Sequence, residues 1–193
     1  MKKEIIAGTA LAGLGIAAFA LATRNKPLKT VGNLELERYL GKWYEIAKFP
    51  QNFEKGCTDI TAEYSLRDDG KIRIVNSCIK DGQAKVAEGV ASVDDKESAK
   101  LEVQFQWPFS GKYWVIALAP DYSYAVVGHP NRKYLWILNR KPTMDSMTYN
   151  HLVLVAAGRG FDIRKLEKTV QAEGIENAYS FSNEQNGKVK AES

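Results

Sequence analysis

Cysteine and histidine are scarce in this chain, two of each among 193 residues. That leaves little from which to build a metal centre or an imidazole or thiol active site. His129 ends an extended run before Pro130 and His151 falls in a helical one, so neither has metal-ligand spacing to the other or to the cysteines. Nucleophile elbows, phosphate-binding loops and HExxH sites are also missing. The paired acids Asp68-Asp69 and Asp94-Asp95 sit in turn signals and read as solvated loop residues. An enzyme is not expected, and neither is a cofactor. A basic stripe is the last absence. The formal charge is only +4, with Lys and Arg spread along the chain. This excludes the electrostatic footprint of a nucleic-acid binder and supports at most weak attraction to an acidic membrane surface.

What is present is an ordinary globular composition, 45% hydrophobic and 26% charged, in a length that suits one domain plus an appendage. The appendage is N-terminal. Lys2 and Lys3 precede an uncharged run from Ile5 to Ala22 that ends in Ala20-Leu21-Ala22, before polar sequence returns at Thr23. Residues 1–26 therefore read as a signal peptide with a small-x-small cleavage site, or as an N-terminal membrane anchor. The run would reach roughly 27 Å as a helix, close to a bilayer core, so both readings stand. Either one places residues 27–183 outside the cytoplasm. No cysteine precedes Cys57, which excludes a lipid-modified N-terminal cysteine. The polar tail 184–193 is expected to be disordered.

Cys57 and Cys78 flank two alternating runs around Asp68-Asp69-Gly70, a hairpin pattern. If Arg67 pairs with Gly70 across a two-residue loop, the cysteines become diagonal neighbours on one face at the open end of the hairpin. A small adjustment of register then brings them to bonding distance. A disulfide suits an exported protein. A reactive thiol is the alternative and needs a base or cation beside one sulfur.

Period-two alternation runs through the body of the chain. It appears in Ile60, Ala62, Tyr64, Leu66, in Ile72, Ile74, Asn76, Cys78, and in Leu101, Val103, Phe105, Trp107 set against Glu102, Gln104, Gln106. Turn signals recur about every dozen residues. Eight strands follow, near 41–49, 58–66, 71–79, 84–93, 99–107, 112–119, 122–129 and 134–140. The fold class is all-β, and an eight-stranded up-and-down antiparallel β-barrel is the arrangement that removes both exposed edges. One segment differs. After Pro142 and Thr143, with Asp145 as N-cap, Met147, Leu152, Val155 and Ala156 fall at helical spacing up to Gly158 and Gly160, predicting one α-helix packed outside the barrel. Phe161 to Gln171 reads as a further short strand or a helical turn, the strand being favoured, and there are no internal repeats.

Three stretches carry a family likeness: Gly41-Lys42-Trp43-Tyr44, Ala119 to Val127, and Arg132 to Arg140. Their order and separation resemble the signatures of lipocalins, in particular the bacterial outer-membrane lipocalins and the apolipoprotein D-like members, over about Leu34 to Val170. The resemblance implies a cup, a barrel shut at one end and open at the other, that binds, stores or moves a small apolar ligand such as a fatty acid or lysophospholipid. It also implies a cell-envelope setting, in the periplasm or at the outer membrane. In that family a Trp plugs the floor and an Arg covers it, roles that fall here on Trp43 and Arg140, while Gly41 lets the chain turn into the barrel.

Alternation proposes Tyr64, Ile74, Val103, Phe105, Trp107, Tyr113, Val115 and Trp136 as an inward, aromatic-rich lining. Each could equally be barrel filling. Trp107-Pro108-Phe109 lies at a hairpin where exposed aromatics would meet a membrane or a lipid head group, or simply shape the turn. A haem ligand within the cavity is not expected from either histidine. Two rival readings stand beside lipid binding. One is a lipid-modifying enzyme using a cavity cysteine. The other is an envelope structural or interaction protein with a filled barrel. A homodimer stays open.

Overall fold

A computed structural model describes residues 26–106 and 109–172. Eight strands form: β1 (Gly41–Lys48), β2 (Cys57–Leu66), β3 (Ile72–Lys80), β4 (Gln83–Val93), β5 (Lys100–Gln106), β6 (Phe109–Leu118), β7 (Tyr124–Gly128) and β8 (Leu135–Asn139). Each is antiparallel to the next, and β1 pairs with both β2 and β8, which closes the sheet into the expected barrel. Closure leaves the long hydrogen-bonding edges of the sheet internal. A short helix, α1 (Leu36–Tyr39), leads into β1, and α2 (Ser146–Gly158) follows β8. The uncharged N-terminal run and the polar tail lie outside the described residues. Among the described residues no helix is long and apolar enough to cross a membrane.

Alternation sorts the side chains into two cores. Trp43, Tyr64, Ile74, Leu101, Val115 and Leu138 meet inside the barrel. Ile46, Ile116, Val126, Ile137, Leu152 and Phe161 meet outside, between the barrel wall and α2. The Asp145 carboxylate caps α2, accepting from the Thr148 amide at 2.9 Å. The helix turns Leu152, Ala156 and Ala157 to the wall. Met147 departs from the expected face. It is 83% exposed, because its place in the first turn falls beyond the strip that meets the sheet.

The hairpin of β2 and β3 also differs from expectation. Arg67 stands opposite Lys71 in the register: its amide donates to the Lys71 carbonyl at 2.8 Å, while its carbonyl accepts from the Gly70 amide at 3.0 Å. Gly70, at φ +77°, is the extra residue and moves the register by one. A second irregularity between Thr58 and Thr61, where Asp59 stands at φ +53°, moves it back. Cys57 then lies opposite Lys80, diagonal to Cys78, and the two form a disulfide with Cα atoms 5.6 Å apart.

Strand β1 stays with β2 only from Gly41 to Tyr44. A bulge at Ile46 then steers it away, and the chain after α2 fills the gap. That stretch, read as a short strand or a helical turn, holds both: a 3-10 turn at Ile163–Lys165 followed by β9 (Glu167–Lys168) alongside β1. Thr169 donates its amide to the Ile46 carbonyl at 3.0 Å, and Asp59 donates to the Val170 carbonyl at 2.8 Å. The Gln171 side-chain amide bridges the carbonyls of Glu45 and Ile60 at 2.8 and 2.9 Å. At this seam the buried Glu45 carboxylate accepts from the Thr169 hydroxyl and lies 3.2 Å from Lys48 Nζ. Lys48 in turn stands 2.9 Å from Glu54 Oε2 in the β1–β2 connection.

Candidate functional site

Antiparallel pairing puts the β1–β2, β3–β4, β5–β6 and β7–β8 connections at one end of the barrel, and α1 with the other connections at the opposite end. The two ends are built differently. At the α1 end Trp43 is fully buried, and its indole donates to the Tyr39 carbonyl at 2.8 Å. The Arg140 guanidinium lies 3.7 Å from the centre of the indole ring. It donates to the carbonyls of Lys42 (2.8 Å), Arg38 (2.8 Å), Tyr39 (3.1 Å) and Tyr122 (3.3 Å). A planar fork of five donors can serve several carbonyls while its face stays on an aromatic ring, which an ammonium cannot do. Gly41 takes φ +88°, with its Cα hydrogen turned toward Arg140; a Cβ there would sit 3.6 Å from a guanidinium nitrogen. This end is sealed.

Above the seal, three phenols meet. The Tyr39 ring lies tilted against Trp43, with ring centres 4.9 Å apart. Its hydroxyl is 2.7 Å from that of Tyr113, to which Tyr64 donates at 2.9 Å. Burial, the first cause in each case, lifts the Tyr64 phenol to about 12 and those of Tyr39 and Tyr113 well above the ordinary phenol range. All three stay protonated at any working pH.

Higher on the wall, the interior face reaches solvent. Ala62, Asn76, Tyr113 and Trp136 occupy inward positions yet are only half-buried, and Ala87, opposite Asn76, is exposed. Tyr134, Trp136 and Tyr113 form a descending stack on that face, with ring centres 6.2 and 6.5 Å apart. Phe105 faces inward at the level of Gly89 and is 40% exposed. Its ring fills the place where a Cβ on Gly89 would meet it at 2.8 Å. Small residues below an aromatic rim, over a sealed floor, make a cup that opens at the end away from α1.

Of the residues read from the sequence as lining, Tyr64, Ile74, Val103 and Val115 are buried in the inner core. Tyr113 and Trp136 border the solvent-reaching space, and Phe105 stands at its mouth. Trp107 and Pro108 lie outside the described residues, and the Phe109 side chain is likewise not described. Tyr39, Ala62, Asn76 and Tyr134 join the cup although sequence reasoning did not name them as lining. Tyr39 precedes the first strand, where alternation gives no face; its signal is its place four residues before Trp43. Both cysteines are in the disulfide, so the chain, which has only two, presents no free thiol.

The model of the Lipocalin-like domain family matches residues 34–171. Temperature-induced lipocalin-1 of Arabidopsis thaliana is 42% identical over 161 residues, covering 78% of this chain and 87% of that protein. Outer membrane lipoprotein Blc of Escherichia coli (strain K12) is 39% identical over 163 residues, 83% of this chain and 92% of that protein. Apolipoprotein D of Macaca fascicularis is 39% identical over 189 residues, 90% and 96% of the two chains. Among solved structures, insecticyanin from the tobacco hornworm Manduca sexta superposes with a TM-score of 0.61 at 23% identity, over 74% of this chain and 83% of that one, a likeness of fold.

Proposed function

Since the chain belongs to the lipocalin family, we propose that its cup binds one small hydrophobic ligand, a fatty acid or lysophospholipid, and holds or moves it in the cell envelope. The observation that carries this reading is the pairing of a sealed Trp43–Arg140 floor with inward positions, Tyr113 and Trp136 among them, that solvent still reaches. Capture would be an equilibrium process. Each methylene taken from water contributes about 0.8 kcal/mol, so a medium-length acyl chain outweighs the cost of ordering it. The envelope setting is supported by the uncharged run at Ile5 to Ala22 and by relatives named as outer membrane lipoproteins.

Trp136 provides the test. Of the described tryptophans, Trp43 is under the floor and Trp114 packs on the outer core, so Trp136 is the one inside the cup. Delipidated protein is titrated with hexadecanoic acid and then with a lysophospholipid, both below their micellar range, while Trp emission is followed. A saturable change that Trp136→Phe abolishes supports the reading. Folded protein that responds to neither lipid overturns it and favours a filled barrel acting through its surface. The enzymatic alternative needs a thiol nucleophile, and the Cys57–Cys78 bond takes both sulfurs.

A further inference from the structure

The three phenols at the base of the cup do not balance. Tyr39, Tyr64 and Tyr113 bring three O–H groups, and two hydrogen bonds join them. Tyr64 donates to Tyr113, while the bond between Tyr39 and Tyr113 can run either way. Whichever way it runs, one hydrogen is left, on Tyr39 or on Tyr113. Among the described residues no further hydrogen bond takes it. Trp43 and Arg140 are donors, already turned to backbone carbonyls, and Leu101, Val115 and Leu138 around the phenols are hydrocarbon. A hydroxyl held in such surroundings is costly unless it finds an acceptor. Of the three, Tyr113 alone is half-buried, on the face that borders the cup, while Tyr39 and Tyr64 are buried.

The charge of that acceptor can be argued as well. A carboxylate leaves water only where two or three donors, or a paired cation, replace its hydration. The floor offers a single O–H. Arg140, the nearest cation, is committed to four carbonyls behind the indole. One donor suits one uncharged oxygen.

We propose that the Tyr39–Tyr113–Tyr64 hydroxyl chain is a polar floor that takes one uncharged oxygen acceptor, a hydroxyl or a ketone or aldehyde carbonyl, at the buried end of the ligand. The proposal rests on the lipid-binding reading and narrows it. The cup selects single-chain or ring lipids oxygenated at the end remote from any charged group, and the charged group stays at the mouth.

The test uses the full chain and a matched pair, hexadecanoic acid and its ω-hydroxy derivative, with dissociation constants measured by calorimetry. Burying the extra hydroxyl without a partner would weaken binding by about tenfold or more. The wild-type protein is expected to bind the ω-hydroxy acid at least as tightly as the plain acid. Tyr39→Phe leaves Tyr64 donating to Tyr113 with one hydrogen still spare, so it should keep that behaviour. Replacing all three phenols by Phe removes every donor, so this variant should bind the ω-hydroxy acid about tenfold more weakly than it binds the plain acid. Wild-type protein that itself disfavours the ω-hydroxy acid tenfold overturns the polar floor, as does a triple variant that treats the pair as wild type does. Should the triple variant not fold, the wild-type and Tyr39→Phe ratios decide alone. If neither acid binds folded wild-type protein, the lipid-binding reading falls and takes the floor with it. If the plain acid binds and the ω-hydroxy acid is rejected, only the floor falls.

Discussion

The Arg140 guanidinium covers the Trp43 indole at 3.7 Å while it donates to carbonyls of four other residues. One side chain thus seals the barrel and satisfies backbone acceptors from α1, β1 and the β6–β7 connection. Arg140→Lys keeps the charge but loses the planar face and most of the donors, leaving carbonyls of the closed end unpaired. The expected loss is about 2–4 kcal/mol in urea unfolding. A variant within about 0.5 kcal/mol of wild type would show that the seal is decorative.

Glu45 makes stability depend on pH. Burial, and after it the Glu54 carboxylate, lifts Glu45 to about 7, while Lys48 and the Thr169 hydroxyl pull it down. In the unfolded chain the same group titrates near its ordinary value of 4.5. Between those two values the folded protein holds a proton that the unfolded chain has released. Stability is therefore full below the lower value and falls as pH rises through the window to about 7. Glu45→Gln should flatten the slope of unfolding free energy over that range and leave the Lys48–Glu54 pair in place. An unchanged slope would assign the dependence to other groups.

The disulfide closes a loop with a sequence separation of 21 residues, and by the loop-entropy relation it stabilises the fold by about 3 kcal/mol. The double variant Cys57→Ala/Cys78→Ala should unfold at correspondingly lower urea and keep its ligand affinity. Thiol titration of the unreduced protein, denatured to expose both sulfurs, should find none. Two reactive thiols in that assay would restore the enzymatic alternative.

The strands and α2 were legible because most of them bury one face: Leu101 and Val103 point in where Glu102 and Gln104 point out, and a wrong register would invert all four. What alternation could not reveal are its own interruptions. The bulges at Ile46 and around Asp59 have no compositional mark, since neither residue is a glycine, and they arise from closing the barrel where β1 and β2 part. The seam filled by Thr169 to Gln171 follows from those bulges, so it was invisible for the same reason. In the cup, strand parity found the deep wall. It missed Tyr39, whose ring enters from a helix, and it gave Phe105 a direction without a depth.

The outer core turns on one close approach. Phe161 is fully buried, and its ring lies on Gly128 at the end of β7, in the space any Cβ would need. Gly128 there is ordinary extended strand, so its requirement is for space and not for an unusual backbone angle. Gly128→Ala must displace the ring, and with it the packing against Phe49, whose ring centre is 6.1 Å away. Overpacking of this kind costs about 1–3 kcal/mol. Pairing the substitution with Phe161→Leu tests the cause. Leu alone loses apolar contact and is destabilising, yet it frees the space the new methyl needs, so the double variant should be more stable than the sum of the two single losses implies. Strict additivity in urea unfolding would mean that the methyl is accommodated elsewhere and that Phe161 does not depend on the absence of a side chain at Gly128.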